Sequence, residues 1–249
     1  MLPDSSPGPL LDLAAALDRE VGLQDAASLL VTGAPPEPRE DRVYVLLQGD
    51  GEVEIDSPEP GRTISVVTAL PGSERFERGV EPALRSGAAF HVNSIAVERL
   101  RELGVPARHL QLGFSRFADR VDPAGDPETL RRGELIVLRS GGYFDWPRAL
   151  GAIHAGAVVL HEQSLGVAPL VAGKHLFVAA ADALDPVAAA LLRDPERLLR
   201  VRQQAREFAA AALPLALAAA ALIGAARTLV AQPLAGAGST PGQLTASSK

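Results

Sequence analysis

Apolar positions along the chain follow two rhythms, and the switch between them predicts the architecture. LLDLAAALDREVGLQDAASLLV (10–31) repeats apolar residues at helical spacing and predicts one or two short helices. The Pro-rich GAPPEPRED (33–41) then acts as a connector. VYVLL (43–47) and EVEI (52–55) flank Gly49-Asp50-Gly51, which predicts a hairpin on a tight turn. From there the rhythm becomes strand, helix, strand. TISVVTAL (63–70) and AAFHVN (88–93) predict strands, SIAVERLRELG (94–104) an amphipathic helix ending on Gly104, and HLQLG (109–113) a further short strand.

The second half repeats the alternation. ELIVLR (134–139), AVVLHE (157–162) and HLFVAA (175–180) predict strands, with helices between and after them, the first starting near Trp146. Asp126-Pro127-Glu128, Asp185-Pro186 and Asp194-Pro195-Glu196 read as helix starts, each with Asp as the cap and Pro at the first position. Short apolar runs alternating with helices imply parallel sheets covered on both faces. The expected fold class is therefore α/β with Rossmann-like parallel sheets and an Ala-rich C-terminal helix. Ligands of such sheets bind beyond the carboxyl ends of the strands, which directs attention to the loops after Glu162 and Ala180. The tail PLAGAGSTPGQLTASSK (233–249) has the composition of a disordered segment.

Composition narrows the function classes. Hydrophobic residues make up 47% of the 249 residues and charged residues 22%, as in ordinary globular proteins. A formal charge of −6 offers no long-range attraction to nucleic acid or anionic lipid. With no Cys, disulfides, thiolate metal sites and thiol nucleophiles are excluded. His154 and His161 straddle a turn without ligand spacing, so no metal site is expected. MLPDSSPGPL has no basic stretch leading into an apolar run, and the protein is expected in the cytoplasm. Phe208–Ala226 is uncharged and roughly long enough to span a bilayer. It is mostly Ala, contains Pro214 and lacks flanking Trp or Tyr, which favours a buried or amphipathic helix; contact of 208–226 with a membrane or partner helix stays open.

The most informative stretch runs from Tyr143 to Val178, YFDWPRALGAIHAGAVVLHEQSLGVAPLVAGKHLFV: a helix, a turn at Gly156, a buried strand, and a polar loop feeding another strand. Backbone amides of Ser164–Gly166 would suit a phosphate, Arg148 would add a fixed cation, and Glu162 would accept hydrogen bonds from hydroxyls. This stretch resembles the nucleotide-sugar-binding segment of GT-B glycosyltransferases, as DPERLLRVRQQAREFA resembles their closing helices and HVNSIAVERLRELGVPARHLQLGFS (91–115) the last unit of their N-terminal domain. The resemblance covers about half the chain. It implies a GT-B arrangement with a reduced N-terminal Rossmann-like domain at 1–115 and a nucleotide-sugar-binding-like domain at 116–232. It further implies a metal-independent glycosyltransferase with no cofactor beyond a nucleotide-sugar co-substrate and an unknown acceptor. Arg148, His161, Glu162, Ser164, Gly173 and His175 would then bind substrate, and His91 is the candidate base near the interdomain cleft.

A second reading stays open, that of a non-catalytic GT-B-like protein that binds a ligand or a protein partner. Alignment on Gly156 places Tyr143 and Gly151 where many retaining enzymes of that fold carry two glutamates. The individual residues also have plainer roles. His161-Glu162 would serve as a polar strand end, Arg148 as a surface ion pair with Asp145, Tyr143–Trp146 as a hydrophobic plug, and His91 with Asn93 as structure.

Overall fold

The computed structural model describes residues 9–24, 26–27, 37, 39, 41–48, 59–114 and 135–232. They form two Rossmann-like α/β lobes. The first sheet contains β1 (Tyr44–Gln48), β2 (Thr63–Val67), β3 (Ala88–His91) and β4 (Arg108–His109), in that spatial order and all parallel. The second contains β5 (Leu135–Leu138), β6 (Val158–Glu162) and β7 (Phe177–Ala179), again in order and all parallel. Parallel pairing needs crossovers. In the first lobe these include α2 (Glu74–Arg85) and α3 (Ser94–Glu102), and in the second α4 (Trp146–His154).

Alternation along each strand feeds two apolar layers. On β2, Ile64 and Val66 enter a core that also holds Phe90, Leu110 and Leu222, whereas Val67 faces Phe76, Ala83 and Leu100 of α2 and α3. On β6, Val159 joins the first of these cores, and Val158 and Leu160 face Leu184, Leu191, Leu198 and Val201. Those four residues come from α5 (Leu184–Leu191) and α6 (Pro195–Ala212). Because strands of this kind are buried on both faces, the near-continuous apolar runs in the sequence mark them well.

The Ala-rich segment is not one helix. Helix α6 stops at Ala212, and α7 (Leu215–Ala231) begins beyond Pro214, whose ring carries no N–H for the ladder. At this break, Leu215 N–H donates to Phe114 O at 2.9 Å, and Phe114 N–H donates to Leu213 O. Leu215, Ala218, Leu222, Ala225 and Leu229 form the buried stripe of α7, which packs on α1 (Pro9–Gly22) and β2 of the first lobe. Arg62, itself buried, donates to the carbonyls of Leu229 and, at 3.3 Å, Gln232, fixing the C-terminal end of α7. Among the described residues, no helix is long and apolar enough to cross a membrane.

Several expectations change. Strand β1 pairs in parallel with β2, and residues 49–58, the other half of the expected hairpin, lie outside the described residues. Helix α1 covers Pro9–Gly22, and of the rest of the 10–31 span, expected to hold one or two helices, residues 25 and 28–31 lie outside the described residues. Strand β4 covers only Arg108–His109; beyond it Leu110 and Leu112 are buried as the chain leaves the sheet. Asp185 is not a cap, because a 3-10 turn at Ala181–Ala183 runs straight into α5, leaving Asp185 in the first turn against Arg139 at 2.8 Å. Asp194 does cap α6, accepting from Arg197 N–H at 3.0 Å. The Asp126 helix start and the tail 233–249 lie outside the described residues.

Candidate functional site

Both sheets end, at their carboxyl edges, on loops that line one cleft of about 370 Å³. The first lobe contributes the β2–α2 loop from Thr68 to Ser73, together with Arg75; the second contributes Arg139–Gly141 after β5, and Asp145, Pro147 and Arg148 at the start of α4. This is where open parallel sheets place ligands, and the volume lies at the small end of the roughly 300–1,000 Å³ typical of ligand pockets. Among the described residues, three guanidinium groups and one carboxylate line it, although the whole chain is acidic. Asp145 Oδ1 caps α4 by accepting from Arg148 N–H at 3.2 Å, while its Oδ2 lies 3.6 Å from Arg148 Nε. Arg139 donates to Asp185 at 2.8 Å and to Ala181 O at 3.2 Å. The three hydroxyl protons of the lining are turned into the fold. Thr68 donates to Gln48 O at 2.9 Å, Ser73 to Leu70 O at 2.7 Å, and Ser140 to Tyr143 O.

Behind the cleft is a second polar constellation that closes on itself. Asn93 is fully buried, and its Oδ1 caps α3 by accepting from Ile95 and Ala96 N–H at 2.9 and 3.3 Å. Its Nδ2 crosses to the second lobe and donates to Phe144 O and Leu165 O, both at 3.1 Å. Trp146 Nε1–H donates to Gly166 O at 2.9 Å. Gly166 has a φ of +79°, and a Cβ there would collide with the Asn93 amide, so glycine is required twice over.

The sequence-predicted residues do not gather in one place. Arg148 lines the cleft. Glu162 stands one layer behind it and accepts from Ser140 N–H at 3.2 Å. His161 is buried, and its Nε2 accepts from Asp145 N–H at 3.3 Å, which leaves the proton on Nδ1 to donate to Glu162 O at 2.6 Å. Burial pushes its pKa down, against an opposing pull from the Glu162 carbonyl and the Asp145 and Glu162 charges. Ser164 Oγ lies 3.2 Å from His161 Nδ1, and Leu165 N–H, one of the amides considered for a phosphate, already donates to Gly142 O at 2.8 Å. Gly173 and His175 are in the turn before β7. His175 accepts from Val171 N–H at 3.1 Å and stacks on Phe208 with ring centroids 4.2 Å apart; its pKa is lowered by burial first and by Lys174 second. His91 is fully buried. Its Nδ1 accepts from Asn93 N–H and its Nε2–H donates to Ala69 O, both at 2.9 Å, and burial lowers its pKa to about 4.

The cleft brings in residues that sequence reasoning passed over, chiefly Arg75, Arg139 and Ser140. Their signal was positional: Arg75 follows Gly72-Ser73 beyond the strand predicted at 63–70, and Arg139-Ser140 stand at the carboxyl end of the one predicted at 134–139. Among the described residues, no group of three His, Asp or Glu side chains converges as metal ligands.

No protein-family model and no curated protein matches the chain. Among solved structures, it is similar to the HepE protein of Anabaena in complex with UDP and glucose, at 14% identity and a TM-score of 0.35, over 90% of this chain and 55% of that one. It is similar also to a glycosyltransferase from Rickettsia africae, at 10% identity and a TM-score of 0.34, over 91% of this chain and 56% of that one. A third is the C-terminal domain of a group 1 glycosyl transferase from Francisella tularensis, at 14% identity and a TM-score of 0.30, over 72% of this chain and 94% of that domain. The chain thus spans little more than half the length of the first two. With TM-scores this low, the likeness adds nothing to the architecture that the two parallel sheets already establish.

Proposed function

We propose that the chain is a metal-independent glycosyltransferase that holds a nucleotide-sugar donor in the interlobe cleft and transfers the sugar to an acceptor. The observation that carries this reading is the cleft itself, set beyond the carboxyl ends of two parallel sheets and lined by Arg75, Arg139 and Arg148. Guanidinium forks match the paired oxygens of a diphosphate, and charge-assisted bonds of this kind are the strong ones. In this reading Arg148 binds the diphosphate, and Glu162 and Ser164 lie behind it to meet hydroxyls of the ribose or sugar. His161 ties the start of α4 to the end of β6, and Gly173 with His175 shapes the turn before β7. His91 keeps both ring nitrogens inside the protein, so its role is to fix the end of β3.

A second reading, a non-catalytic protein that binds the same ligand or a protein partner, has one observation in its favour. Asp145 is the only carboxylate among the described residues lining the cleft, and it caps α4 and faces Arg148 rather than standing as a general base. Thermal shift against UDP-, GDP-, ADP- and dTDP-sugars tests both readings. One nucleotide class is expected to raise Tm, by an amount that grows with the logarithm of ligand concentration above its Kd. Arg148→Gln should weaken that binding about tenfold, roughly 1.4 kcal/mol. The absence of any shift from well-folded protein would remove the donor site. Binding with no release of nucleoside diphosphate would select the second reading.

A further inference from the structure

We infer that Ser140, on the second-lobe wall of the cleft, is a serine nucleophile with His161 as its base, and that it cleaves small carboxylic esters. The inference goes beyond the transferase reading and needs no nucleotide. Leu138, the last residue of β5, pairs with His161 of β6, and Ser140 comes two residues later on the cleft lining. That register sets Ser140 Oγ 3.4 Å from His161 Nε2. On the far side of the ring, Nδ1–H donates to Glu162 O at 2.6 Å, which leaves Nε2 as the nitrogen with the lone pair. A hydroxyl, an imidazole and an acceptor that orients the imidazole make the set that activates serine, here with a main-chain carbonyl as the third member. At rest the Ser140 proton is on Tyr143 O, and Asp145 N–H takes the Nε2 lone pair at 3.3 Å. Oγ already reaches both acceptors, so rotation of the O–H alone turns the proton to Nε2 with no heavy atom moving. Contacts this long are usual before a substrate is bound. Burial keeps the imidazole neutral and able to take a proton, and the Asp145 and Glu162 charges favour the imidazolium that results. In the reaction, Oγ attacks the ester carbonyl carbon and its proton passes to Nε2. The bond to the alcohol oxygen breaks, and the alcohol leaves with that proton. Water then attacks the acyl-serine and gives a proton to Nε2; the acid departs as that proton returns to Oγ. A cleft of about 370 Å³ limits the substrate to a small ester.

The test treats the full chain with a fluorophosphonate, which phosphonylates activated serines with loss of fluoride, and maps the labelled peptide by mass spectrometry. Label is expected on Ser140 of the folded protein and on no serine after unfolding in urea. Hydrolysis of p-nitrophenyl acetate should disappear in step with labelling. Ser140→Ala should abolish both signals. His161→Gln should slow both about a hundredfold, the low end of what a positioned base contributes. His161 is buried, so folding of that variant is checked by circular dichroism. Labelling of the unaltered protein in D2O is a second measurement that needs no variant, and it should run slower than in H2O because the proton moves during attack. Equal rates in the two solvents overturn the inference. So does the absence of label on Ser140, labelling unchanged in folded His161→Gln, or esterase activity that survives Ser140→Ala. The donor reading stands or falls separately, on the thermal shift with nucleotide-sugars.

Discussion

Two polar constellations sit beyond the same strand ends, and they have opposite characters. The junction is built on the buried Asn93, Phe144 and Trp146 and the backbone of Leu165 and Gly166, and it is satisfied from within, every donor and acceptor of the Asn93 side chain finding a partner in the fold. The cleft a layer further out is lined by guanidinium groups that are about half exposed where the ion pairs define them, at 52% for Arg139 and 50% for Arg148. The junction joins the lobes, and the cleft is what that joining leaves open. A polar residue at a strand end is therefore not ligand-seeking by virtue of its position. What separates the two cases is where its hydrogen bonds go.

If the junction is what fixes the lobes, damage there should cost most. Asn93→Ala removes the cap of α3 and takes the side-chain donor from Phe144 O, whereas Leu165 O keeps Phe144 N–H at 2.9 Å. A lost cap costs about 1 kcal/mol and a deprived buried group about 1–3 kcal/mol, so the loss should reach about 2–4 kcal/mol in urea unfolding. Gly166→Ala should be of similar size, because its new methyl meets the Asn93 amide and its φ is +79°. The double variant sharpens the point. With Asn93 trimmed, only the backbone strain at position 166 remains, so the two losses should combine to well below their sum. A loss under about 1 kcal/mol for Asn93→Ala would show that the interlobe bonds do not hold the molecule together.

The difference between the constellations also explains what the sequence could and could not reveal. Strands β2, β3 and β6 were legible because burial on both faces writes a continuous apolar run, and the partly buried β5 and β7 because their short runs are apolar as well. The caps at Asp145 and Asp194 were legible because capping is local. The site was only half legible. Arg148 lines the cleft as expected, but His161 in the polar HEQS loop is bonded into the protein, and His91 likewise. Hydrogen-bond partners such as Phe144 O and Leu165 O are backbone groups far along the chain from Asn93, and no residue type signals them. Arg75 and Arg139 went unnoticed because their convergence depends on how two lobes meet, which spacing within either lobe does not encode.

Acid should damage the buried side of the comparison next. His91 has a folded pKa of about 4 against an ordinary 6.5, because burial disfavours its charged form. Above pH 6.5 neither state binds the proton and stability is full. Between 6.5 and 4 the unfolded chain takes up a proton that the folded chain refuses, so stability falls with pH, by about 3 kcal/mol in all for this residue. His161 and His175 are shifted in the same direction and add to the slope. Urea midpoints measured from pH 7.5 to 4.5 should fall steadily, and His91→Gln, whatever its stability at pH 7.5, should show a shallower fall. An unchanged slope in that variant would mean that His91 is reached by solvent protons in the folded protein.

The smallest effect on stability is expected in the cleft. Arg139 forms its ion pair with Asp185 at 2.8 Å, but both side chains are largely solvated, at 52% and 83% exposure. Exposed pairs of this kind contribute about 0–1 kcal/mol, so Arg139→Gln should unfold within 1 kcal/mol of the parent. Its effect on anion binding should be the larger one, and salt should separate the two regions. Raising NaCl from 0.05 to 0.5 M shortens the Debye length to a few ångströms and weakens attraction between the cleft and an anion. The dry bonds of Asn93 are screened far less, so the cost of Asn93→Ala should hardly move over the same range. Binding of phosphate or nucleotide that ignores both salt and Arg139→Gln would place the ligand away from the arginine-lined walls. A salt-dependent cost for Asn93→Ala would instead show water entering the junction, and the contrast between a closed constellation and an open one would not survive it.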